Sequence, residues 1–148
     1  MLIETLKTLF LRDLDRLKTE LESYQNETAI WKIDGQIANS AGNLCLHLVG
    51  NLNTYIGGEL GQSGYVRDRP AEFSRKDVPR AELIQLVENT AIMIEQTLSN
   101  VPEQQLAEEY PLLVFAEKTS TAYLLVHLTT HLAYHLGQIN YHRRLLDQ

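Results

Sequence analysis

The sequence predicts an all-α fold: a four-helix bundle with a long crossover between the second and third helices. Hydrophobic residues recur every three or four positions in four separate segments, which is the spacing of amphipathic helices. The segments between them are polar or interrupted by Gly and Pro. A length of 148 residues, with 44% hydrophobic and 22% charged residues, is typical of one compact globular domain, which we expect to span residues 1–148.

The first predicted helix runs roughly from Leu2 to Tyr24. Its apolar residues alternate at steps of three and four and so form one stripe, made by Ile3, Leu6, Phe10, Leu14, Leu17, Leu21 and Tyr24. Residues 26–35 then form a connection that carries Trp31. The stripe predicts that this helix packs one face against the core.

The second predicted helix ends near the glycines at positions 57, 58 and 61, and its apolar face is made by Leu44, Leu48, Leu52 and Tyr55. His47 lies on this helix. Residues 61–79 are polar and contain several Gly and Pro, so they are predicted to be the crossover, without regular structure. Pro79 suits the first turn of the third helix, which is carried by Leu83, Val87, Ile94 and Leu98.

Residues 100–118 are predicted to be a loop, because Pro102 and Pro111 break helical continuity. A short extended piece at residues 112–115 is the alternative there. The fourth helix begins at about Ser120 and continues to the C-terminus, with a broad apolar face made by Leu125, Leu128, Leu132, Leu136, Ile139 and Leu146.

Charge and composition limit the classes of partner. A formal net charge of −6 and a pI near 5.3 argue against nucleic acid, which requires clustered Lys and Arg. No stretch is long and apolar enough to span a membrane. The lone Cys45 lies in an apolar run, and the chain starts without a signal-like segment, so the sequence predicts a cytoplasmic protein.

The positions of the histidines suggest a metal site. Four of the five, His127, His131, His135 and His142, lie in the last predicted helix, and His47 lies in the second. Residues four apart on a helix can share a metal ion, whereas residues seven or eight apart cannot. That leaves 127/131 or 131/135, and the second pair points further into the core. An inward His47 is the natural third ligand.

Three neutral imidazoles suit a divalent ion, above all Zn²⁺ or Ni²⁺, with Fe²⁺, Mn²⁺ or Cu²⁺ as alternatives. Three protein ligands would leave open positions for water or substrate. The competing interpretation is that the histidines are packing residues, because two histidines four apart on a helix are a weak signal alone. His127 and His142 are expected to be structural or to support the ligands from outside, with His127 as an alternative ligand in place of His47, and Gln138 could be a hydrogen-bond partner of the site.

Three sequence blocks carry a resemblance to a known family. They are L-C-L-H-L-V-G-N-L around His47, Y-V-R-D-R-P-A-E-F at residues 65–73, and H-L-T-T-H-L-A-Y-H-L-G-Q-I at residues 127–139. In order and spacing they resemble the DinB-like (YfiT-like) superfamily over nearly the whole chain. The resemblance implies an up-down-down-up bundle, frequent homodimers, and a divalent metal held by His47, His131 and His135. Similar proteins include thiol-dependent S-transferases, a maleylpyruvate isomerase and metal-dependent hydrolases.

The expected function is therefore a metal-dependent enzyme, of the thiol S-transferase or hydrolase type, that acts on a small molecule such as a low-molecular-weight thiol. Arg67 and Arg69 could clamp a carboxylate, or could form a structural salt bridge with Asp68, Glu72 or an opposite subunit. Tyr134 and Tyr141 could be general acids or packing residues. The alternative is a non-catalytic helical module for dimerisation or binding, with structural histidines or a structural metal.

Overall fold

The computed structural model describes the whole chain, residues 1–148, and it is all-helical, as predicted. The five α-helices are α1 (Leu2–Ser23), α2 (Ala41–Leu52), α3 (Arg69–Ser74), α4 (Arg80–Ser99) and α5 (Thr121–Leu146). Two short 3-10 helices lie at Glu27–Trp31 and Glu103–Ala107, and a π-helix at Asn53–Gly58 extends α2. The four predicted helices correspond to α1, α2, α4 and α5, and the alternative strand at residues 112–115 does not form.

Local capping chemistry explains where the helices of the site begin. The Ser40 side chain accepts a hydrogen bond from the backbone N–H of Asn43 at the start of α2. Ser120 does the same for Tyr123 at the start of α5. Serine is among the residues that best satisfy the free N–H groups of a first helical turn. Both histidine-bearing helices therefore start at positions that the sequence itself specifies.

The prediction that residues 61–79 lack regular structure was wrong for six residues. Helix α3 lies inside this crossover, and its first turn contains Pro70. Asp68 caps it by accepting a hydrogen bond from the Ala71 N–H. Polar segments containing proline are typical of loops, but an Asp that can cap a helix with Pro two residues later, as in Asp68-Arg69-Pro70, is also a helix-start signal. Helix α3 packs on α2, so the crossover contributes to the surroundings of His47.

One core lies between the long helices. Both α1 and α2 pack against α4 and α5. Thirty buried hydrophobic residues form a single cluster there, with Phe10, Leu17, Leu48, Leu83 and Leu132 among those that are fully enclosed. Burial of this apolar surface is the main force that holds the helices together. None of the helices has the combined length and hydropathy that a membrane span requires.

Candidate metal centre

Three histidines meet where α2 packs against α5. One ring nitrogen from each of His47, His131 and His135 lies within 4.8 Å of the other two. The Nε2 atoms of His47 and His131 are 3.3 Å apart, and the rings of His131 and His135 are 4.6 Å apart between centroids. The structure thus brings together the three residues that the sequence singled out.

The donor set fits a divalent metal ion. Zinc binds imidazole nitrogen at about 2.0–2.1 Å in a tetrahedral arrangement, which places two ligating nitrogens roughly 3.3–3.4 Å apart. The separation between the His47 and His131 Nε2 atoms agrees with that spacing. The group contains no carboxylate or thiolate, so the protein would supply three neutral nitrogen donors. Such a set is typical of zinc and nickel sites.

Burial keeps two of these histidines in the form that binds metal. Loss of solvent around the ring lowers the pKa of His47. Burial also lowers the pKa of His131, to about 4, and the neighbouring His135 and His47 add to this shift. A histidine must be neutral to offer a lone pair to a cation. Near neutral pH, the rings of His47 and His131 are therefore neutral, and each has a lone pair available for a metal ion.

A buried ion pair fixes the orientation of His47. The Glu72 carboxylate, only 6% exposed, lies 3.1 Å from His47 Nδ1 through Oε1. Arg67 binds the same carboxylate with two hydrogen bonds, of 2.8 Å from Nε and 3.0 Å from Nη2. An ionised carboxylate only accepts hydrogen bonds, so His47 donates from Nδ1 and its Nε2 lone pair is free. The salt-bridge interpretation of Arg67 is the one that the structure supports.

Helix α2 presents one stripe of residues to α3, at positions 43, 47 and 50. The Asn43 amide donates to the backbone oxygens of Glu72 and Arg75, at 2.9 and 2.8 Å. Gly50 leaves the space that the Glu72 carboxylate fills, since a side chain there would overlap Oε2 and lie 2.6 Å from Cδ. Glycine in a helix interior costs about 1 kcal/mol relative to alanine. Here that cost is offset by the seating of the carboxylate.

His135 has its own hydrogen-bond partner and borders a pocket. Its Nδ1 lies 2.7 Å from Oε1 of Gln138, the residue that the sequence proposed as a partner. Beside it is a pocket of about 460 Å³. The pocket walls contain no Asp, Glu, Lys or Arg and are formed by Gln36, Ile37, Ala38, Asn39, Leu44, His135, Gln138, Tyr141, His142 and Leu145. The histidine cluster is thus adjacent to an uncharged cavity large enough for a small organic molecule.

The other two histidines lie outside the cluster. The His127 ring packs edge-to-face on Phe115 at 4.7 Å and lies 6.2 Å from the His131 ring. His142 is buried and has partners at both nitrogens: the Tyr24 hydroxyl at 2.7 Å from Nδ1, and the Lys32 backbone oxygen at 2.8 Å from Nε2. His142 is a structural residue, in agreement with its sequence interpretation.

The other polar residues considered for a role in the site lie at the surface, and the buried Cys45 is unreactive. Arg69 is exposed and forms no salt bridge; its guanidinium lies 6.0 Å from the ring of Phe73, which packs on His47 at 5.0 Å. Tyr134 and Tyr141 are both exposed, and only Tyr141 lines the pocket. Burial raises the pKa of the Cys45 thiol to about 12, which makes it unsuitable as a nucleophile.

Sequence reasoning missed two features of the site. It treated Glu72 as a partner of arginine only, and it gave no role to Gly50. The contact of Glu72 with His47 depends on the docking of α3, which no local periodicity reveals. The one available signal was the glycine in the middle of the apolar run around Leu48 and Val49, because such a glycine often marks a close approach by another group.

A family model described as "Protein of unknown function (DUF1572)" matches residues 3–148. The chain belongs to the DUF1572 family. This DUF1572 chain is also similar to a crystal structure of a conserved protein from Enterococcus faecalis, with a TM-score of 0.76 and 16% sequence identity. The likeness covers 97% of this chain and 95% of that one, and at this identity it shows the fold alone. No curated protein matches the sequence.

Proposed function

We propose that this protein is a DinB-like metalloenzyme, in which His47, His131 and His135 hold one divalent metal ion and a small molecule is the substrate. The observation that carries the proposal is the convergence of three histidine nitrogens within 4.8 Å, from two helices, beside a pocket. The DUF1572 family is itself DinB/YfiT-like, which supports this reading. Zinc or nickel is the expected ion, because all three donors are imidazoles.

The proposal includes the bundle topology expected of DinB-like proteins. Cross-helix pairs support an up-down-down-up order of α1, α2, α4 and α5. Glu20 on α1 binds Arg143 near the end of α5, at 2.8 Å, as expected if these two helices run in the same direction. Lys7 donates to Ser99 at 3.1 Å, so the start of α1 lies beside the end of α4, as expected of an antiparallel pair.

The chain supplies an open, oriented site. Three protein ligands leave room for a further ligand, as in catalytic zinc sites and unlike closed structural ones. A bound divalent cation supplies Lewis acidity, which lowers the pKa of a thiol or water ligand toward neutrality. Glu72 and Gln138 hold the rings of His47 and His135 in place. This chemistry suits a thiol S-transferase or a hydrolase.

The substrate is proposed to bind in the pocket beside His135. The amides of Gln36 and Asn39 and the hydroxyl of Tyr141 provide polar contacts, and the aliphatic part of the wall is formed by Ile37, Ala38, Leu44 and Leu145. Without a charged side chain in the wall, the pocket favours an uncharged part of the substrate. Arg69 is exposed, has no carboxylate partner and lies beside Phe73, which packs on His47, so it is proposed as the group that binds a substrate anion.

Metal analysis of protein purified without chelator or affinity metal tests the proposal. Wild type is expected to contain or take up close to one zinc or nickel per chain. His47→Ala and His131→Ala should lose it, whereas His127→Ala, the matched control, should retain it. A positive result justifies a screen with low-molecular-weight thiols and hydrolysable esters. The site is contradicted if wild type takes up neither metal. It is also contradicted if all three variants lose the metal equally.

A second candidate is a non-catalytic dimerisation module, in which a metal would be structural. It is favoured by a row of exposed apolar residues along α5, made by Tyr123, Val126, Tyr134, Tyr141 and Leu145. A helix face of this kind is often covered by a partner. Sedimentation of wild type and Tyr134→Ser separates the two functions: a dimer that dissociates in the variant, with no activity in the substrate screen, favours the module.

A further inference from the structure

Two buried side-chain atoms near the proposed centre have no hydrogen-bond partner: Nδ1 of His131 and Oδ1 of Asn51. Asn51 is only 8% exposed. An unpaired polar atom in a protein interior costs about 1–3 kcal/mol. Such atoms are rare in native structures, and each one calls for a physical reason.

The two atoms belong to the same interface. His47 on α2 contacts His131 and His135, while Leu44, one turn earlier, borders the pocket beside Gln138 and His142. Residues later in α2 therefore lie beside residues earlier in α5. Asn51 is one turn after His47, on the same face of α2. This register places Asn51 beside the part of α5 that lies just before the residues contacted by His47. Of the three histidines in the cluster, His131 is the nearest to that part of α5.

The other two histidines of the cluster share a pattern that His131 lacks. His47 Nδ1 has the Glu72 carboxylate and His135 Nδ1 has the Gln138 amide oxygen. In both cases an oxygen at Nδ1 favours the tautomer whose Nε2 lone pair is free. Histidine ligands of metals regularly have such an oxygen partner, which fixes the ring and its proton. His131 is the one member of the group without it.

We infer that Asn51 Oδ1 is the missing acceptor, and that it binds the His131 Nδ1–H, directly or through one water, when a divalent cation is held at the Nε2 atoms. The inference rests on the proposed metal site. With Nδ1 of His47 committed to Glu72, the 3.3 Å contact between the two Nε2 atoms requires His131 to donate from Nε2 in the metal-free protein. A cation held by Nε2 of His131 would need the lone pair of that atom, so the proton of His131 must then lie on Nδ1.

Asn51 is accordingly a positioning residue, which acts on the metal through His131. In the metal-free protein its oxygen and the His131 Nδ1 atom are both acceptors, so they cannot pair directly with each other. When metal is bound, His131 Nδ1 becomes a donor, and it and the Asn51 oxygen can then pair with each other. Part of the free energy of metal binding then comes from this new hydrogen bond.

Two substitutions at position 51 test the inference, with zinc as the probe. Asn51→Leu keeps the shape but removes the acceptor, and Asn51→Asp keeps an acceptor. Competition with a chromophoric chelator should show zinc affinity about tenfold or more weaker in Asn51→Leu, as is usual when such a partner of a ligand is lost. Asn51→Asp should bind zinc at least as tightly as wild type.

Two further measurements separate positioning from folding. Urea unfolding of metal-free Asn51→Leu should show it to be at least as stable as wild type, because an unpaired buried oxygen has been removed. In ¹⁵N-edited NMR spectra of the zinc-loaded protein, the Nδ1–H signal of His131 should shift in Asn51→Leu while those of His47 and His135 stay unchanged. Equal zinc affinity and an unmoved His131 signal in this variant would overturn the inference, whereas absence of zinc binding by wild type would overturn the metal site itself.

Discussion

The structure holds two kinds of histidine, the buried His142 on α5 and the cluster formed by α2 and α5, which differ in how their ring nitrogens are used. His142 has a protein partner at both nitrogens: the Tyr24 hydroxyl and the Lys32 backbone oxygen. In the cluster, His47 and His135 each have an oxygen partner at Nδ1 only. One ring nitrogen of each cluster histidine lies within 4.8 Å of such a nitrogen of the other two.

This difference is what separates a structural histidine from a candidate ligand. A neutral imidazole has one donor and one acceptor, so two partners complete it and leave nothing for a ligand. His142 is complete and joins α5 to the segment that follows α1. The cluster differs because its Nε2 contact joins two members of the group, His47 and His131, at 3.3 Å, and Nδ1 of His131 has no partner. Three imidazole nitrogens grouped in this way could hold a divalent cation, as proposed above.

The largest effect on stability is expected from His142→Ala. The change leaves the Tyr24 hydroxyl and the Lys32 oxygen without partners and creates a cavity, which together should cost about 3 kcal/mol. Urea unfolding of the metal-free protein measures this loss. Zinc affinity should remain within about twofold of wild type. A His142→Ala variant that is fully stable but cannot bind zinc would reverse the roles assigned to the two kinds of histidine.

A smaller effect, at the cluster, is expected from Gly50→Ala. The new Cβ would occupy the space of the Glu72 carboxylate and push it from His47. We expect a loss of about 1–3 kcal/mol in the free energy of unfolding and roughly tenfold weaker zinc binding. The matched control is Gly137→Ala on α5, where nothing lies within 4 Å of an added Cβ.

Gly137→Ala should leave zinc binding unchanged and raise stability by about 0.5–1 kcal/mol, because alanine is the better helix former. If both alanine variants bind zinc as wild type does, the position of Glu72 does not matter to the site. Unfolding by urea and the chelator competition assay together decide between these results.

The helices and the members of the cluster were predictable for the same reason: both depend on local periodicity. A spacing of four residues puts His131 and His135 on one face, and the apolar neighbours of His47 turn it inward. The same periodicity placed His127 and His142 in the same sector of α5. Only the packing of His127 on Phe115, in the preceding loop, and of His142 on the distant Tyr24 separates these two from the cluster.

What could not be predicted depends on long-range docking. Helix α3 is short, and its place on α2 follows from the Asn43 amide, the His47 ring and the gap at Gly50 acting together. Sequence showed Arg67 and Glu72 as a possible ion pair five residues apart, but not that the pair faces a histidine 25 residues earlier. No sequence rule supplies that contact, because the crossover is polar and has no long hydrophobic pattern to fix it.

Acid should destabilise the metal-free protein through both kinds of histidine. Burial lowers the pKa of His142 and of His47, and it lowers the pKa of His131 to about 4. Between pH 6.5 and about 4 the unfolded chain binds protons that the folded protein does not. Stability is therefore complete above about pH 6.5 and falls as the pH decreases toward 4.

Urea unfolding of metal-free protein between pH 7.5 and 4.5 measures this dependence. His131→Leu should lose stability less steeply than wild type over that interval, because one of the shifted groups is gone. A variant with an unchanged slope would mean that His131 does not differ in proton binding between the folded and unfolded protein.

The smallest effect is expected from His127→Ala. This half-buried ring contacts Phe115 edge-to-face at 4.7 Å, and such aromatic pairs contribute about 0.5–1.5 kcal/mol. Its nitrogens do not belong to the group that converges within 4.8 Å, so zinc affinity should not change. His127→Phe should restore the lost stability, because only the ring contact is used. If His127→Ala instead weakens zinc binding as much as His47→Ala does, the metal lies one turn earlier on α5, between His127 and His131, and Asn51 becomes a neighbour of the ion instead of a partner of its ligand.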